Sequence, residues 1–170
     1  IRLRRAGGRI ASALRASTDG QQTIRVLMYH EISDNVVSGD WEQMTTPKAL
    51  FAAQMRWLQE AGYRVIQSEE ALNLLLGRRM WPQEPLAVLT FDDGLRSYLT
   101  NAWPVLEPLG FPNTLFVATG LMGQDREHLT WEEVRHLMRS GLVTCGSHTV
   151  SHTKLRGLHA ARVRSEIRES

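Results

Sequence analysis

An α/β architecture of parallel strands is what the sequence predicts, on three observations. Short apolar runs rich in β-formers alternate five times with segments of helical period, the pattern of βαβ units joined by right-handed crossovers. The central run, Leu86-Ala87-Val88-Leu89-Thr90-Phe91, is almost wholly apolar, as suits a strand covered on both faces. Finally, His30, the pair Asp92-Asp93, and His148 with His152 fall at or just beyond the carboxyl ends of the first, third and fifth predicted strands, where α/β folds place their chemistry.

The elements follow in order. Thr23-Ile24-Arg25-Val26-Leu27-Met28-Tyr29 reads as the first strand and ends at His30-Glu31. Residues 31–46 are polar, punctuated by Asp34, Asn35, Gly39 and Asp40, and are expected to be a loop. A helix is predicted to start with Thr46 as N-cap and Pro47 at its first position, to present Leu50, Phe51, Met55 and Leu58 on one face, and to stop at Gly62. Tyr63-Arg64-Val65-Ile66 is the second strand, and Ser68-Glu69-Glu70 opens a helix through Leu76 with its acids at the positive dipole end. Pro82 and Pro85 bound the loop before the central strand. Past Gly94, one helix is expected from Ser97 to Leu109, bent at Pro104 and stopped by Gly110. Residues 113–118 form the fourth strand; Thr130-Trp131-Glu132-Glu133 fits a capping box that announces a helix to Gly141; Leu142 to Gly146 is the fifth strand; a last helix starts near Ala160.

At 170 residues and 42% hydrophobic, the chain can bury one good core and is neither disordered nor fibrous. A closed barrel of this type takes about 250 residues, so this chain is too short to close one. It also ends inside a helix, and it starts with Ile1 rather than methionine; it is read as the front part of a larger catalytic domain whose leader, if any, lies upstream. The lone Cys145 excludes an intrachain disulfide framework and a multi-cysteine zinc finger, and no apolar run is long enough to cross a membrane.

The net charge of +2 conceals an asymmetry. Residues 1–25 hold six arginines against Asp19, a charge of +5 that leaves −3 for the rest. Residues 1–22 are therefore read as a basic lead-in, a solvated or juxtamembrane segment that brings the protein near a membrane or envelope. The slightly acidic body lacks the broad basic surface of a nucleic-acid binder, so no nucleic-acid partner is expected.

Two adjacent carboxylates at the end of a buried strand repel and are costly to desolvate unless a cation or a proton divides them. A surface Asp-Asp-Gly turn is the alternative, and partners elsewhere decide between the two. Imidazole and carboxylate are the usual ligands of a divalent metal, and two histidines with one acid leave a position open for water. Such a site is hydrolytic. One acid suffices as ligand, and the other is free to take a proton. His148-x-x-x-His152 is not a zinc-protease helix, because Thr149 stands where that motif has Glu; the pair is placed at a strand end and its following loop. Alternation turns Cys145 away from the side of His148. His128, His136 and His159 are read as surface residues, Trp57, Trp103 and Trp131 as packing aromatics, and Trp41 as a tryptophan on which a sugar ring can stack.

Thr90-Phe91-Asp92-Asp93-Gly94 together with His148-Thr149-Val150-Ser151-His152 resembles the first two signature motifs of the polysaccharide deacetylases, the chitooligosaccharide deacetylase-like carbohydrate esterases. Phe51-Ala52-Ala53-Gln54-Met55-Arg56-Trp57-Leu58, Ala61-Gly62-Tyr63 and Leu129-Thr130-Trp131 are similar too, so the resemblance covers residues 26–170. It implies an incomplete (β/α) barrel, with residues 23–170 as the N-terminal part of a deacetylase domain. It implies Asp92 as general base, and Asp93, His148 and His152 as ligands of a divalent metal, zinc being the one expected. The reaction implied is removal of N-acetyl groups from an N-acetylglucosamine-containing polysaccharide, in the cell envelope, periplasm or extracellular space. Tyr29-His30 resembles the Tyr-His motif of the permuted branch that acts on poly-β-1,6-N-acetylglucosamine, which makes His30 the catalytic acid. Thr153 replaces the proline that often follows the second histidine. The family's arginine and oxyanion-donating motif is absent, which implies metal binding with poor turnover, since one lost donor costs on the order of a hundredfold or more. An O-acetyl esterase, or a catalytically silent carbohydrate-binding module of the same fold, are the alternative readings.

Overall fold

The computed structural model describes residues 22–35 and 43–170. Most of the basic lead-in, and Trp41, lie outside the described residues. Five parallel strands form the main sheet: β1 (Ile24–Tyr29), β4 (Arg64–Val65), β5 (Leu86–Phe91), β6 (Asn113–Val117) and β7 (Val143–Ser147). These are the five predicted strands. The order runs β1-β5-β6-β7, and β4 pairs with the first half of β5, Arg64 opposite Leu86, while β6 pairs with its last residues, Phe91 opposite Leu115. All six residues of β5 are buried, as its apolar run requires.

The two faces of β5 feed two clusters. Ala87, Leu89 and Phe91 join the main core with Phe51, Met55 and Leu58 of helix α1 (Lys48–Glu60), whereas Leu86 and Val88 pack with Ile66 and with Ala71 and Leu74 of α2 (Ser68–Leu75). The period-two alternation of the strand thus assigns each helix to its side. Phe91 sits among Tyr29, Phe51 and Tyr98, with ring centroids 4.9–5.9 Å away, so the last turn of β5 is fixed by aromatic packing just before the acidic pair.

Three expectations need correction. The 31–46 segment is not a plain loop: β2 (Glu31–Ile32) and β3 (Thr45–Thr46) form a small parallel sheet. Thr46 is consequently committed to β3 and does not cap α1; Pro47 occupies the cap position and the Asp34 carboxylate accepts from the Lys48 amide at 3.0 Å. The first free amide of the helix is satisfied from across the loop instead of from its own flank. The predicted 97–109 helix is two pieces, a π-helical turn over Tyr98–Ala102 followed by α3 (Trp103–Leu109). Starting a new helix at Trp103 puts Pro104 in the first turn, where its missing amide breaks no hydrogen bond. Gly110 ends α3 at φ 63°.

Helix α4 (Trp131–Met138) carries the predicted capping box, Thr130 Oγ1 accepting from the Glu133 amide and Glu133 accepting from the Thr130 amide. Trp131 opens that helix and is 39% exposed, so it is not a core aromatic. Helix α5 spans Ala160–Arg168, and the His159 ring accepts from the Ala161 amide. Among the described residues no helix is long and apolar enough to cross a membrane.

Candidate active site

Both predicted motifs emerge at the same end of the sheet, as parallel strands dictate. β5 delivers Asp92 and Asp93, β1 delivers His30, and β7 delivers His148 and the loop to His152. Main-chain bonds fix these exits: the Asp92 amide donates to Tyr29 O at 2.9 Å and the His148 amide to Val117 O at 2.8 Å.

Asp93 is 3% exposed, and its Oδ1 is the buried side-chain oxygen that finds no hydrogen-bond partner among the described residues. His148 Nε2 lies 3.4 Å and His152 Nε2 3.2 Å from that same oxygen. The ligand atoms of the three residues lie within 4.8 Å of one another. A buried carboxylate oxygen without a donor is costly, and two imidazole nitrogens converging on it form a donor set that fits a divalent cation. The two rings stack at 4.8 Å between centroids.

The backbone is bent to achieve this. Asp93, Thr149 and His152 are the described non-glycine residues with positive φ, at 72°, 68° and 53°. Each left-handed residue of this kind costs about 1–3 kcal/mol and persists only where surrounding structure over-determines it; all three belong to the two motifs. Gly94 follows Asp93 in the same conformation, and a Cβ there would stand 2.9 Å from Met122 Sδ. The positive φ favours glycine here, and a larger residue would also press on the Met122 and Val117 side chains.

Asp92 sits beside this cluster, with Oδ2 3.8 Å from His30 Nε2. Burial pushes its carboxyl above the usual carboxylate range; His148 and His30 pull it back down, and Asp93 adds to the rise. A carboxylate raised in this way is a better proton acceptor. His30 is placed by the small sheet that follows it: Ser97 Oγ donates to Glu31 Oε2 at 3.0 Å, and Asn101 Nδ2 donates to Ile32 O at 2.7 Å.

All five predicted site residues are thus brought to one end of the sheet, in two contacting groups. His128 is not a free surface residue: its side chain is 13% exposed and its Nδ1 lies 2.9 Å from an Asp125 oxygen. Arg96 holds that segment, with Nε donating to Arg126 O and Nη2 to His128 O, both at 2.9 Å. Cys145 packs with the main core, away from the cluster as its strand position requires.

Glu166 was not legible as part of this region. From α5 its side chain reaches the loop between the two histidines, accepting from the amides of Val150 and Ser151 and from the Ser151 hydroxyl. These bonds, that of the Ser151 amide foremost, hold its carboxyl below the usual range. An alternation of arginines and one acid on a helix gives no sign of this; the sole sequence cue is Arg162 four residues earlier, at ion-pair spacing.

Comparison with known proteins agrees with the geometry. The Bacillus subtilis protein YxkH, which carries a polysaccharide deacetylase name, is 34% identical over 153 residues, covering 90% of this chain and 52% of its own length. The poly-beta-1,6-N-acetyl-D-glucosamine N-deacetylase of Escherichia coli K12 is 30% identical over 137 residues, 72% of this chain and 20% of that protein. The chain thus spans about half or less of the curated relatives it matches. The solved structure of IcaB from Ammonifex degensii superposes with a TM-score of 0.72 at 29% identity, over 86% of this chain and 64% of that one, and the parallel sheet described above is that of an incomplete (β/α) barrel. The family model for polysaccharide deacetylases matches residues 81–170, a stretch containing both the acidic pair and the two histidines. Members are metal-dependent, in keeping with the Asp93, His148 and His152 cluster. With the match extending over more than half of its residues, this chain belongs to the polysaccharide deacetylase family.

Proposed function

We propose that this chain is part of a metal-dependent hydrolase that removes N-acetyl groups from an N-acetylglucosamine-containing polysaccharide. The single observation that carries the reading is the buried Asp93 oxygen, without a hydrogen-bond partner, facing two imidazole nitrogens. In this reading Asp93, His148 and His152 hold the ion. When bound, a divalent cation, here zinc, supplies Lewis-acid polarisation of the scissile carbonyl and lowers the pKa of water toward about 7.

The chain's own groups divide the proton transfers. Asp92, raised by burial and not needed as a ligand, accepts a proton from the attacking water. His30, beside it, donates a proton to the departing nitrogen as the amide C–N bond breaks, so that acetate and a free amine result. The short distance between Asp92 and His30 favours this pairing, because one group ends with the proton the other gives up. The substrate class is supported by the named substrate of the Escherichia coli relative. We further propose that the polymer is an envelope or extracellular one, that residues 23–170 are one part of the deacetylase domain, and that the arginine-rich residues before them form a basic segment near the membrane or envelope.

Metal analysis of the purified protein, together with acetate release from N-acetylglucosamine oligomers, tests the proposal. One bound zinc per chain and chelator-sensitive acetate release are expected. A protein that takes up no divalent metal and releases no acetate overturns it, and faster release from O-acetyl than from N-acetyl substrates reassigns it as an esterase.

A further inference from the structure

We infer that Glu166 is a positioning residue for the histidine pair, its buried carboxylate setting the loop that aims His148 and His152 at Asp93. The inference rests on the metal-site reading above. Glu166 is 1% exposed although most of its helix faces solvent, and burial of a carboxylate is costly unless its oxygens are paired. Here both are paired. Oε2 accepts from the Val150 amide at 3.0 Å and the Ser151 amide at 2.9 Å, while Oε1 accepts from Ser151 Oγ at 2.7 Å and faces Arg162 Nη2 at 2.7 Å.

What these bonds hold is the centre of the turn. The loop needs left-handed backbone at Thr149 and at His152, a conformation that a β-branched residue such as Thr149 takes only under external constraint. Local bonds cover the flanks: the Thr149 amide donates to Ser147 Oγ and the His152 amide to Thr149 Oγ1. On the opposite side the amides of Thr119 and Gly120 donate to the carbonyls of Thr149 and Val150, at 3.0 and 2.8 Å. The Val150 peptide is therefore gripped from both sides, by main chain after β6 and by the Glu166 carboxylate. Without the carboxylate, two adjacent amides lose their acceptor, and the turn is free to relax toward right-handed backbone. That relaxation rotates His152 away from Asp93. The carboxylate touches neither histidine and acts only through the peptide between them.

The test is zinc affinity of the folded 170-residue chain, measured by competition with a chromogenic chelator, with circular dichroism to establish that each variant is folded. Glu166→Ala is expected to weaken zinc binding by about 10–100-fold, the range found when groups that orient ligands are removed. Glu166→Gln, which keeps an acceptor oxygen at the same reach, is expected to restore most of that loss. The visible absorption of the cobalt-loaded protein should change in Glu166→Ala and return in Glu166→Gln. If Glu166 only anchors α5, Glu166→Ala lowers stability while the folded protein binds zinc as the wild type does, and the inference is overturned. Should Glu166→Ala not fold, Glu166→Asp decides in the same assay, because it keeps the charge but falls short of the amides: weaker binding than Glu166→Gln supports the inference and wild-type affinity overturns it. A wild-type chain that binds no zinc overturns the metal-site reading itself, a result distinct from either.

Discussion

Replacing Asp93 by asparagine should make the metal-free protein more stable and the metal-loaded protein less so. Asparagine tolerates the left-handed φ of 72° at this position, so backbone strain does not confuse the comparison. In the wild type a carboxylate that is 3% exposed keeps one oxygen without a hydrogen-bond partner, next to a second acid. An unsatisfied buried polar group costs about 1–3 kcal/mol, and more when charged. Asparagine removes the charge and brings an amide that can donate to an imidazole nitrogen facing it, so the metal-free chain should gain about 1–3 kcal/mol in unfolding free energy. A ligand that binds only the folded state at a hundred times its Kd adds about 2.7 kcal/mol, and the wild type should gain close to that from zinc while Asp93→Asn gains almost nothing. The order of stabilities should therefore reverse between the two conditions. Urea denaturation at pH 8, once with EDTA and once with zinc, reads both differences. Equal stabilisation of both proteins by zinc, or a metal-free variant less stable than the wild type, would refute the assignment of Asp93.

Four further outcomes are expected. Asp92→Asn should retain zinc affinity and lose about 100–10,000-fold in acetate release; if it loses zinc as Asp93→Asn does, the two aspartates have not been told apart. Because burial raises the Asp92 carboxyl in the folded state, the native protein binds the extra proton, and stability falls as pH rises through that raised value. Asp92→Asn should thus be more stable than the metal-free wild type near neutral pH, and urea titrations should show the gap closing below the ordinary value of 3.8. Gly120→Ala puts a Cβ 2.9 Å from Val150 O, and such overpacking should cost about 1–3 kcal/mol together with zinc affinity; unchanged affinity would show that the loop is not held from this side. Tyr98→Phe removes the hydroxyl that donates to Asn113 Oδ1 at 2.9 Å in a fully buried pair, and thermal or chemical unfolding should register a loss of about 1–3 kcal/mol.

Features set by local pattern were legible in the sequence: five strands from their apolar runs, the helix stops at Gly62 and Gly110 from their left-handed backbone, and the capping box at Thr130. The convergence of His30, Asp92, Asp93, His148 and His152 followed from their positions after strands, since parallel strands deliver their carboxyl ends to one side. What escaped depends on contacts distant in sequence. A two-residue pairing such as Glu31–Ile32 with Thr45–Thr46 has no period to detect, and it displaced the helix cap that Thr46 would otherwise have supplied. The π-helical turn before Trp103 answers to Pro104 and to packing of Tyr98 and Ala102, not to propensity. Composition did not separate Asp92 from Asp93; the family resemblance implied different roles, and the left-handed turn at Asp93 sends the two side chains to different partners. Glu166 gave no sign of its place because the amides it accepts from, those of Val150 and Ser151, lie 15–16 residues away.

Strand β6 donates no side chain to the proposed chemistry, yet it sets the spacing of its two halves. β5 and β7, which carry the acids and the histidines, do not pair with each other; β6 lies between them. Its last residue supplies the carbonyl that receives the His148 amide, and its Val117 side chain stands against Gly94 on the other flank. β6 works as a gauge block between two jaws. Substitutions at Val117 that alter its width should therefore behave like active-site variants in assays while appearing, on a map of the site, to be silent core changes, and variant effects in this family are best interpreted with that strand counted among the functional parts.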